Sequence, residues 1–382
     1  MVSPRRRSKV QGIVDEIGRL YKAENKTNGT HLALRWNGRV RFTIPNEKAA
    51  QETCWSVFCP GRLALPMRAM ARLPRLLGTV SCVEAEHLVT VRQLLGKEAG
   101  LSCCRTGAKG VWSKDTILFL DRKSKPLFIV KVGTGKDVDA LLENEANWLQ
   151  RLRNQTELAN HIPEFVAHHC GSSVSFVAQR AKIGNLDFRL GTVQIDFLRK
   201  LQNHSLRSMQ YQDSVLYRTL NLRAKNLRGL LSEAWSIRLE KAMRQINESL
   251  SSSPVQLVVA HNDFTPWNIR VEHNLVSVFD WEYAADEQFP LFDPLHFVMM
   301  PMALNRDPRA RMIQRMNLTV QLCRQWLGEE RCHQAETQAL AYFVNLCILY
   351  LWGARERPGP NSVVDAYAQV IDYLLSADKS RS

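Results

Sequence analysis

Two apolar runs in the second half of the chain lead directly into polar residues, and this pattern constrains the fold most. LVVA at residues 257–260 precedes His261 and Asp263, and VSVF at residues 276–279 precedes Asp280. We predict that both runs are buried strands. Burying a carboxylate at a strand end is costly unless another group pairs with it. These polar side chains therefore either satisfy one another or bind a cation.

The segment between the two runs predicts a β-hairpin. IRVEHNLVSVF at residues 269–279 contains two short strands joined at a His-Asn dipeptide. Their pairing would bring Asn268 and Asp280 side by side. An amide oxygen and a carboxylate are hard ligands that suit Mg²⁺, which also binds substrate phosphates. Asp263 on the preceding loop could accept a proton from a hydroxyl, and His261 would brace that loop through hydrogen bonds.

The composition is that of a soluble globular protein with an excess of basic residues. The chain has 382 residues, 45% of them hydrophobic and 23% charged, which allows two domains or one large bilobed domain. The formal net charge is +14, and residues 1–95 alone hold 16 Lys and Arg against 7 Asp and Glu. A basic surface suggests an anionic partner such as phosphate, nucleic acid or an acidic membrane face. A solvated basic face without a specific partner is equally compatible with these counts.

The sequence indicates a cytoplasmic protein without a transmembrane segment. No apolar stretch follows the basic start MVSPRRRSKV, which argues against a secretory signal. The longest apolar run, at residues 341–352, is shorter than the roughly 20 residues that a membrane span needs, so we predict a buried core helix there. The nine cysteines form no C-x-x-C pair, which favours reduced and mostly buried thiols.

The order of predicted elements divides the chain into three parts. Residues 1–95 form a basic extension, with a hairpin that turns at Asn37-Gly38 and two helices, the second of them basic and amphipathic at residues 64–78. Residues 96–183 contain antiparallel strands and one helix. Residues 184–382 are mainly helical, with an inserted group of strands that carries the polar residues described above.

The polar residues also match a known motif. H-x-D-x-x-x-x-N at residues 261–268, followed by Asp280 after a hairpin, is typical of the catalytic loop and metal-binding Asp of protein-kinase-like phosphotransferases. With HNDFTPWN and DWE, the chain resembles the aminoglycoside phosphotransferase and choline kinase branch of that group. Thr265 stands where Ser/Thr protein kinases typically carry Lys, and no A-P-E segment follows, which argues against a protein substrate.

This resemblance implies a fold and a reaction. The fold is α+β and bilobal, protein-kinase-like, with a small antiparallel-sheet N-lobe plus one helix, a mainly helical C-lobe, and ATP or GTP between the lobes. The reaction is Mg²⁺-dependent transfer of the γ-phosphoryl group to a hydroxyl.

The small lobe offers residues for the remaining roles in the family. The strand FIVKVG supplies Lys131 to hold the nucleotide phosphates, and the following helix supplies Glu145 to pair with it. RTGAKG lies between the first two strands, where a phosphate-covering loop is expected, and contains Gly107 and Gly110. In the second half, the resemblance assigns catalysis to Asp263 and the metal to Asn268 and Asp280.

The acceptor is left open by the sequence. Glu282, Asp286 and Glu287 form an acidic patch after Asp280, which suits a cationic aminoglycoside or choline, whereas the basic chain suits a neutral or anionic sugar. We expect a small hydroxylated molecule, for which a carbohydrate and an aminoglycoside-like compound are the candidates.

Two alternatives compete with the enzyme. The first is a catalytically inactive kinase-fold binding module that acts through its basic N-terminal segment. The second is a nucleic-acid binder that uses Arg39 and Arg41, but no recognised binding motif or aromatic stacking pattern accompanies them. The intact set of family residues argues against the first alternative, because an inactive relative has no chemical reason to keep all five of them: Lys131, Glu145, Asp263, Asn268 and Asp280.

Overall fold

The computed structural model describes residues 30–36, 39–45, 47–58, 79–81, 101–107, 112–171, 174–354 and 361–377. The chain divides into two compact units. The first comprises Met1–Arg153 and Pro163–Leu186, and the second comprises Asn154–Ile162 and Asp187–Ser382.

An antiparallel sheet forms the centre of the first unit. Its eight described strands lie in the order β3-β1-β2-β4-β5-β6-β8-β7, and every neighbouring pair is antiparallel. The strands are β1 (Thr30–Trp36), β2 (Arg39–Pro45), β3 (Thr79–Ser81), β4 (Ser102–Arg105), β5 (Lys114–Leu120), β6 (Pro126–Gly133), β7 (Phe165–Cys170) and β8 (Ser175–Arg180).

Apolar side chains cover both faces of this sheet. Successive residues of a strand point to opposite faces, so the neighbours Cys103 and Cys104 belong to different apolar clusters. The cluster with Cys103 includes Leu118 and Trp55 of helix α1 (Lys48–Phe58), and the other includes Phe119. Burial on both faces explains why β5 has an unbroken apolar run and not an alternating one.

A single long helix follows β6 in the first unit. Helix α2 (Lys136–Arg153) has two Asp residues in its first turn and two Arg residues in its last, the arrangement that the helix dipole favours. Its apolar side chains at Leu142, Leu149 and Leu152 are buried. Glu145 lies on the same side of the helix and is also buried.

The second unit is mainly helical. Its helices are α3 (Thr192–Asn203), α4 (Val215–Leu227), α5 (Glu233–Ser249), α6 (Phe292–Leu304), α7 (Arg309–Leu327), α8 (Ala335–Ala354) and α9 (Ser362–Ala377). Its strands are β9 (Arg207–Met209), β10 (Val255–Ala260), β11 (Ile269–Glu272), β12 (Leu275–Val278) and β13 (Ala285–Gln288). β10 pairs with β9 and β13, and β11 pairs with β12 as a hairpin.

Two predictions for this unit are confirmed, the hairpin and the buried core helix. The predicted hairpin is formed by β11 and β12, and both residues of its turn, His273 and Asn274, have positive φ. The longest apolar run lies within α8, where most of its side chains are buried in the core of the unit. Among the helices described, none is long and apolar enough to cross a membrane.

The N-terminal predictions have different outcomes. The hairpin of β1 and β2 and the helix that follows are confirmed. The Asn37-Gly38 turn, the basic helix at residues 64–78 and Gly110 lie outside the described residues. The sheet is larger than the sequence indicates, because β2 pairs with β4 through Phe42↔Arg105 and so joins three N-terminal strands to the rest.

Candidate active site

Lys131 and Glu145 form a buried ion pair in the first unit. Lys131 Nζ lies 2.8 Å from Oε1 and 2.6 Å from Oε2 of Glu145. β6 holds Lys131 between Thr116 of β5 and Val177 of β8, while α2 turns Glu145 towards the sheet. Glu145 is 0% exposed and Lys131 is 9% exposed, so neither group has bulk water as its main partner. The two residues are therefore in contact, as the sequence analysis predicts.

Gly107 is held tightly against its own sheet. A Cβ atom on this residue would lie 2.2 Å from the backbone oxygen of Lys114, so no larger residue fits without a shift of the strand. Its amide donates to Asp115 Oδ1 at 2.9 Å. Burial raises the pKa of Asp115, and this hydrogen bond opposes the rise. Close strand packing thus explains the glycine, and a role of Gly107 in phosphate binding stays a prediction.

In the second unit, the second residue of the loop after β10 has a left-handed backbone conformation. Asn262 has φ of 60°, the left-handed region that glycine adopts more easily. Its side-chain amide donates to the carbonyl of Tyr283 at 3.1 Å, which helps to hold this conformation. Asp293 in the first turn of α6 accepts from the backbone amides of His261 at 2.8 Å and Asn262 at 2.9 Å. Asp293 is therefore a brace of the loop.

His261 connects the loop to the end of the hairpin. Its Nδ1 accepts from the amide of Asp263 at 3.2 Å, and its Nε2 lies 3.1 Å from the carbonyl of Phe279, next to Asp280. These partners fit a neutral ring that carries its proton on Nε2. Burial lowers the pKa of His261 to about 4, although Asp263 and Asp280 favour the protonated form. At neutral pH this residue is a neutral brace and not a charged group.

Asp263 is held at both carboxylate oxygens. Asn268 Nδ2 donates to Oδ2 at 2.7 Å and also to the Asp263 backbone carbonyl at 3.0 Å. His296 Nε2 lies 3.1 Å from Oδ1. The Asp263 side chain keeps 27% of its surface exposed, whereas the His296 side chain keeps 3%. The carboxylate is therefore fixed in orientation and still accessible to a solute.

The hairpin brings the two predicted metal ligands to the same end. Phe279 donates its amide to the Asn268 carbonyl at 3.1 Å, and Asp280 is the next residue. Asp280 has φ of 75°, so the chain turns sharply where β12 ends. Because the Asn268 amide nitrogen faces Asp263, its Oδ1 points away from that carboxylate. An amide oxygen and a carboxylate are the hard donors that Mg²⁺ prefers, and this donor set fits such an ion.

Sequence reasoning missed part of this arrangement. His296 contacts Asp263, and its other ring nitrogen lies 3.2 Å from the Tyr342 hydroxyl on α8. The sequence contains one weak indication of His296. It follows Asp293 by three residues, so on a helix the two side chains lie on the same face. Nothing in the sequence near Tyr342 connects that residue to the loop.

Comparison with known sequences identifies the chain's relatives. The sequence model of the phosphotransferase enzyme family (APH) matches residues 105–315, more than half of the chain. The chain belongs to this family. The family resemblance inferred from HNDFTPWN and DWE is thus confirmed, and the chain is a phosphotransferase by membership. No curated protein sequence gives a significant match.

Solved structures of aminoglycoside phosphotransferases share the fold. A thermostable mutant of APH(4)-Ia in its apo form has 12% sequence identity and a TM-score of 0.50, covering 72% of this chain and 94% of its own. The GDP complex of wild-type aminoglycoside 2'-phosphotransferase-IIIa has 13% identity and a TM-score of 0.51, covering 76% and 98%. The GDP and kanamycin complex of APH(2")-IIia has 14% identity and a TM-score of 0.51, covering 78% and 100%. At this identity the likeness shows the fold, which is the predicted protein-kinase-like one.

Proposed function

We propose that this APH-family protein transfers the γ-phosphoryl group of ATP or GTP to a hydroxyl of a small molecule. The observation that carries the proposal is the fixed Asp263 carboxylate, held by Asn268 at 2.7 Å and by His296 at 3.1 Å while 27% of its side-chain surface stays exposed. A carboxylate that is accessible but cannot rotate is suited to orient an acceptor hydroxyl and take its proton. We assign catalysis to Asp263 and the bracing of its loop to His261.

The roles in donor binding follow the family resemblance. Lys131, oriented by Glu145, would hold the nucleotide phosphates, and the loop at Gly107 and Gly110 would cover them. Asn268 Oδ1 and the Asp280 carboxylate would hold Mg²⁺, which would neutralise charge on the phosphates when bound. Structures of aminoglycoside 2'-phosphotransferase-IIIa with GDP, and of a thermostable APH(4)-Ia mutant with ADP and hygromycin B, support a nucleotide donor.

The transition state of phosphoryl transfer is loose, so positioning and electrostatics contribute most of the catalysis. In such a reaction the Asp263 carboxylate does not need to be a strong base, but it must point towards the acceptor hydroxyl. The hydrogen bonds at its two oxygens fix that orientation.

The acceptor is proposed as a carbohydrate or an aminoglycoside-like compound. Relatives with the same fold have been solved with kanamycin and with hygromycin B. The acidic patch of Glu282, Asp286 and Glu287 would suit a cationic acceptor. Residues 1–95 are proposed as an extension of a kinase-like N-lobe at 96–183 and a C-lobe at 184–382, and an anionic partner of the extension stays a prediction.

Nucleotide binding is the first test. Melting temperatures of the wild type and of Asp280→Ala are measured with ATP or GTP, with and without Mg²⁺. We expect a Mg²⁺-dependent rise in the wild type that Asp280→Ala loses. Asp365→Ala, which changes an exposed Asp on α9, is the matched control and should keep the rise.

Transfer is the second test. Labelled γ-phosphate from the bound nucleotide is followed to kanamycin, hygromycin B, simple sugars and amino alcohols. Product with one of them supports the proposal, and Asp263→Asn should greatly slow its formation. Nucleotide binding without transfer to any acceptor would favour the inactive binding module, and no binding of either nucleotide would contradict the kinase function.

A further inference from the structure

A chain of buried polar groups extends from Asp263 into the helical core. His296 on α6 lies 3.1 Å from Asp263 Oδ1 through Nε2 and 3.2 Å from the Tyr342 hydroxyl through Nδ1. Tyr342 on α8 lies 3.2 Å from the Tyr367 hydroxyl on α9. Tyr342 is 2% exposed and Tyr367 is 0% exposed. Three helices of the second unit thus contribute one member each to a chain that ends on the loop.

We propose that His296 is a positioning residue, held by Tyr342 and Tyr367, that fixes the Asp263 carboxylate for phosphoryl transfer. This inference rests on the function proposed above. His296 does not face the acceptor itself, because its side chain is nearly inaccessible and both of its ring nitrogens already have partners.

Each hydrogen bond in this series of polar groups can be assigned a donor and an acceptor, and all of them run in the same direction. An ionised carboxylate only accepts hydrogen bonds, so His296 must donate from Nε2 to Asp263. When the ring is neutral, Nδ1 is the acceptor, and Tyr342 must supply that proton. Tyr342 has a single O–H, so its bond with Tyr367 requires Tyr367 to be the donor. The direction is therefore Tyr367 to Tyr342 to His296 to Asp263, and it sets the His296 tautomer.

The surroundings support this assignment. Burial raises the pKa of both Tyr342 and Tyr367 well above the ordinary range, so both keep their O–H protons. A buried polar chain is stable only when its members are satisfied, and each hydroxyl here has a partner. The ring of Tyr342 also packs edge-on against His296, with centroids 5.9 Å apart, which restrains rotation of the imidazole.

The effect of His296 on Asp263 is to fix the orientation of the carboxylate. The donated hydrogen bond removes rotation about the Asp263 side chain, and misplacement of a reacting group by about 1 Å can cost on the order of 100-fold in rate. With Asn268 on one oxygen and His296 on the other, only one arrangement of the carboxylate remains available to the acceptor.

Kinetics of matched variants test the proposal on the first acceptor that the wild type phosphorylates. His296→Leu should lower kcat by about 10-fold to 100-fold and leave KM for the nucleotide unchanged. His296→Gln, whose amide nitrogen can donate from nearly the same place, should recover most of that loss. Tyr342→Phe should give a smaller loss than His296→Leu. In Asp263→Asn, the added His296→Leu change should cause little further loss, because the two residues act as a unit.

A structural role alone predicts different results. Met299→Ala removes a buried side chain from the same helix and serves as the control, with lower stability and unchanged kcat per folded molecule. If His296→Leu behaves like Met299→Ala, or if His296→Gln recovers nothing, the positioning role is overturned.

A measurement without turnover separates this inference from the proposed function. At a pH where the His296 ring is neutral, nitrogen NMR of the labelled wild type should show its proton on Nε2, and Tyr342→Phe should change the Nδ1 signal. A proton on Nδ1 in the wild type would overturn the proposal even if the enzyme is active. If NMR gives the expected tautomer and no acceptor is ever phosphorylated, the proposed function fails while the geometry at Asp263 stands.

Discussion

The backbone amide of His261 donates a 2.8 Å hydrogen bond to Asp293, 32 residues later in the chain. The two side chains respond to burial in opposite ways. Burial lowers the pKa of His261 from 6.5 to about 4 and raises the pKa of Asp293 from 3.8 to about 6. Burial thus disfavours the positive charge on His261 and the negative charge on Asp293.

These two pKa shifts predict opposite pH effects on the free energy of unfolding. As pH falls from 6.5 to 4, the unfolded chain protonates His261 first, which lowers the free energy of unfolding. As pH falls from 6 to 4, the folded chain protonates Asp293 first, which raises it. Each effect amounts to about 3 kcal/mol at most, so the two nearly cancel in the wild type.

Asp293→Asn should remove this compensation. Relative to the wild type, its free energy of unfolding should fall by up to about 3 kcal/mol between pH 6 and pH 4, as His261 acts alone. Denaturant unfolding at several pH values measures the difference, with the exposed Asp365→Asn as control. A parallel pH dependence for Asp293→Asn and the wild type would show that Asp293 does not titrate in this range.

The ion pair of Lys131 and Glu145 predicts a strong coupling in stability. Lys131→Met leaves a buried carboxylate without its ammonium partner, and Glu145→Leu leaves a buried ammonium without its carboxylate. Each change should cost about 3–5 kcal/mol, whereas the double variant should lose much less than the sum. A double-mutant cycle in urea measures the coupling. Additive losses would mean that other partners of these side chains replace the missing one.

The positive φ of Asn262 predicts different stabilities for the variants Asn262→Gly and Asn262→Ala. Both replacements remove the 3.1 Å hydrogen bond to the Tyr283 carbonyl, but only glycine tolerates a φ of 60° without cost. Asn262→Ala should therefore be less stable than Asn262→Gly by about 1–2 kcal/mol. Thermal unfolding of the pair measures this, and equal stability of the two variants would mean that the loop changes its conformation.

Asp263 predicts a loss of turnover without a loss of nucleotide binding. Asp263→Asn keeps the size of the side chain but removes the proton acceptor, so kcat should fall by about 100-fold to 10,000-fold. The Mg²⁺-dependent thermal shift with nucleotide should remain. The control is Asp196→Asn on the exposed side of α3, which should turn over like the wild type. Equal activity of Asp263→Asn would exclude this residue as the base.

Local patterns in the sequence were enough to predict the hairpin of the second unit and the ion pair of the first. The His-Asn turn, the strands on each side of it, and the contact between Lys131 and Glu145 all follow from short spacings and from the family motif. The positive φ at Asn262 is also compatible with the sequence, because Asn tolerates that region better than most residues.

Contacts between distant segments could not be predicted in the same way. His296 and Tyr342 are 46 residues apart, and they meet only because α6 and α8 pack together. Likewise, no local pattern indicates that β2 pairs with β4, since Phe42 and Arg105 lie far apart in the chain. Such contacts depend on the packing of complete elements, which a single sequence does not specify by spacing.

The pairing of β2 with β4 has a consequence for shortened versions of the chain. A version that begins near residue 96 would leave Cys104 and Arg105 of β4 without their strand partners Thr43 and Phe42 on β2. It would also uncover Cys103, Leu118 and Leu120, which Trp55 and its neighbours on α1 now shield from water. An open strand edge beside exposed apolar side chains promotes association between chains. Aggregation of a shortened version would then result from the exposure of this apolar cluster. It would not show that residues 1–95 bind a partner.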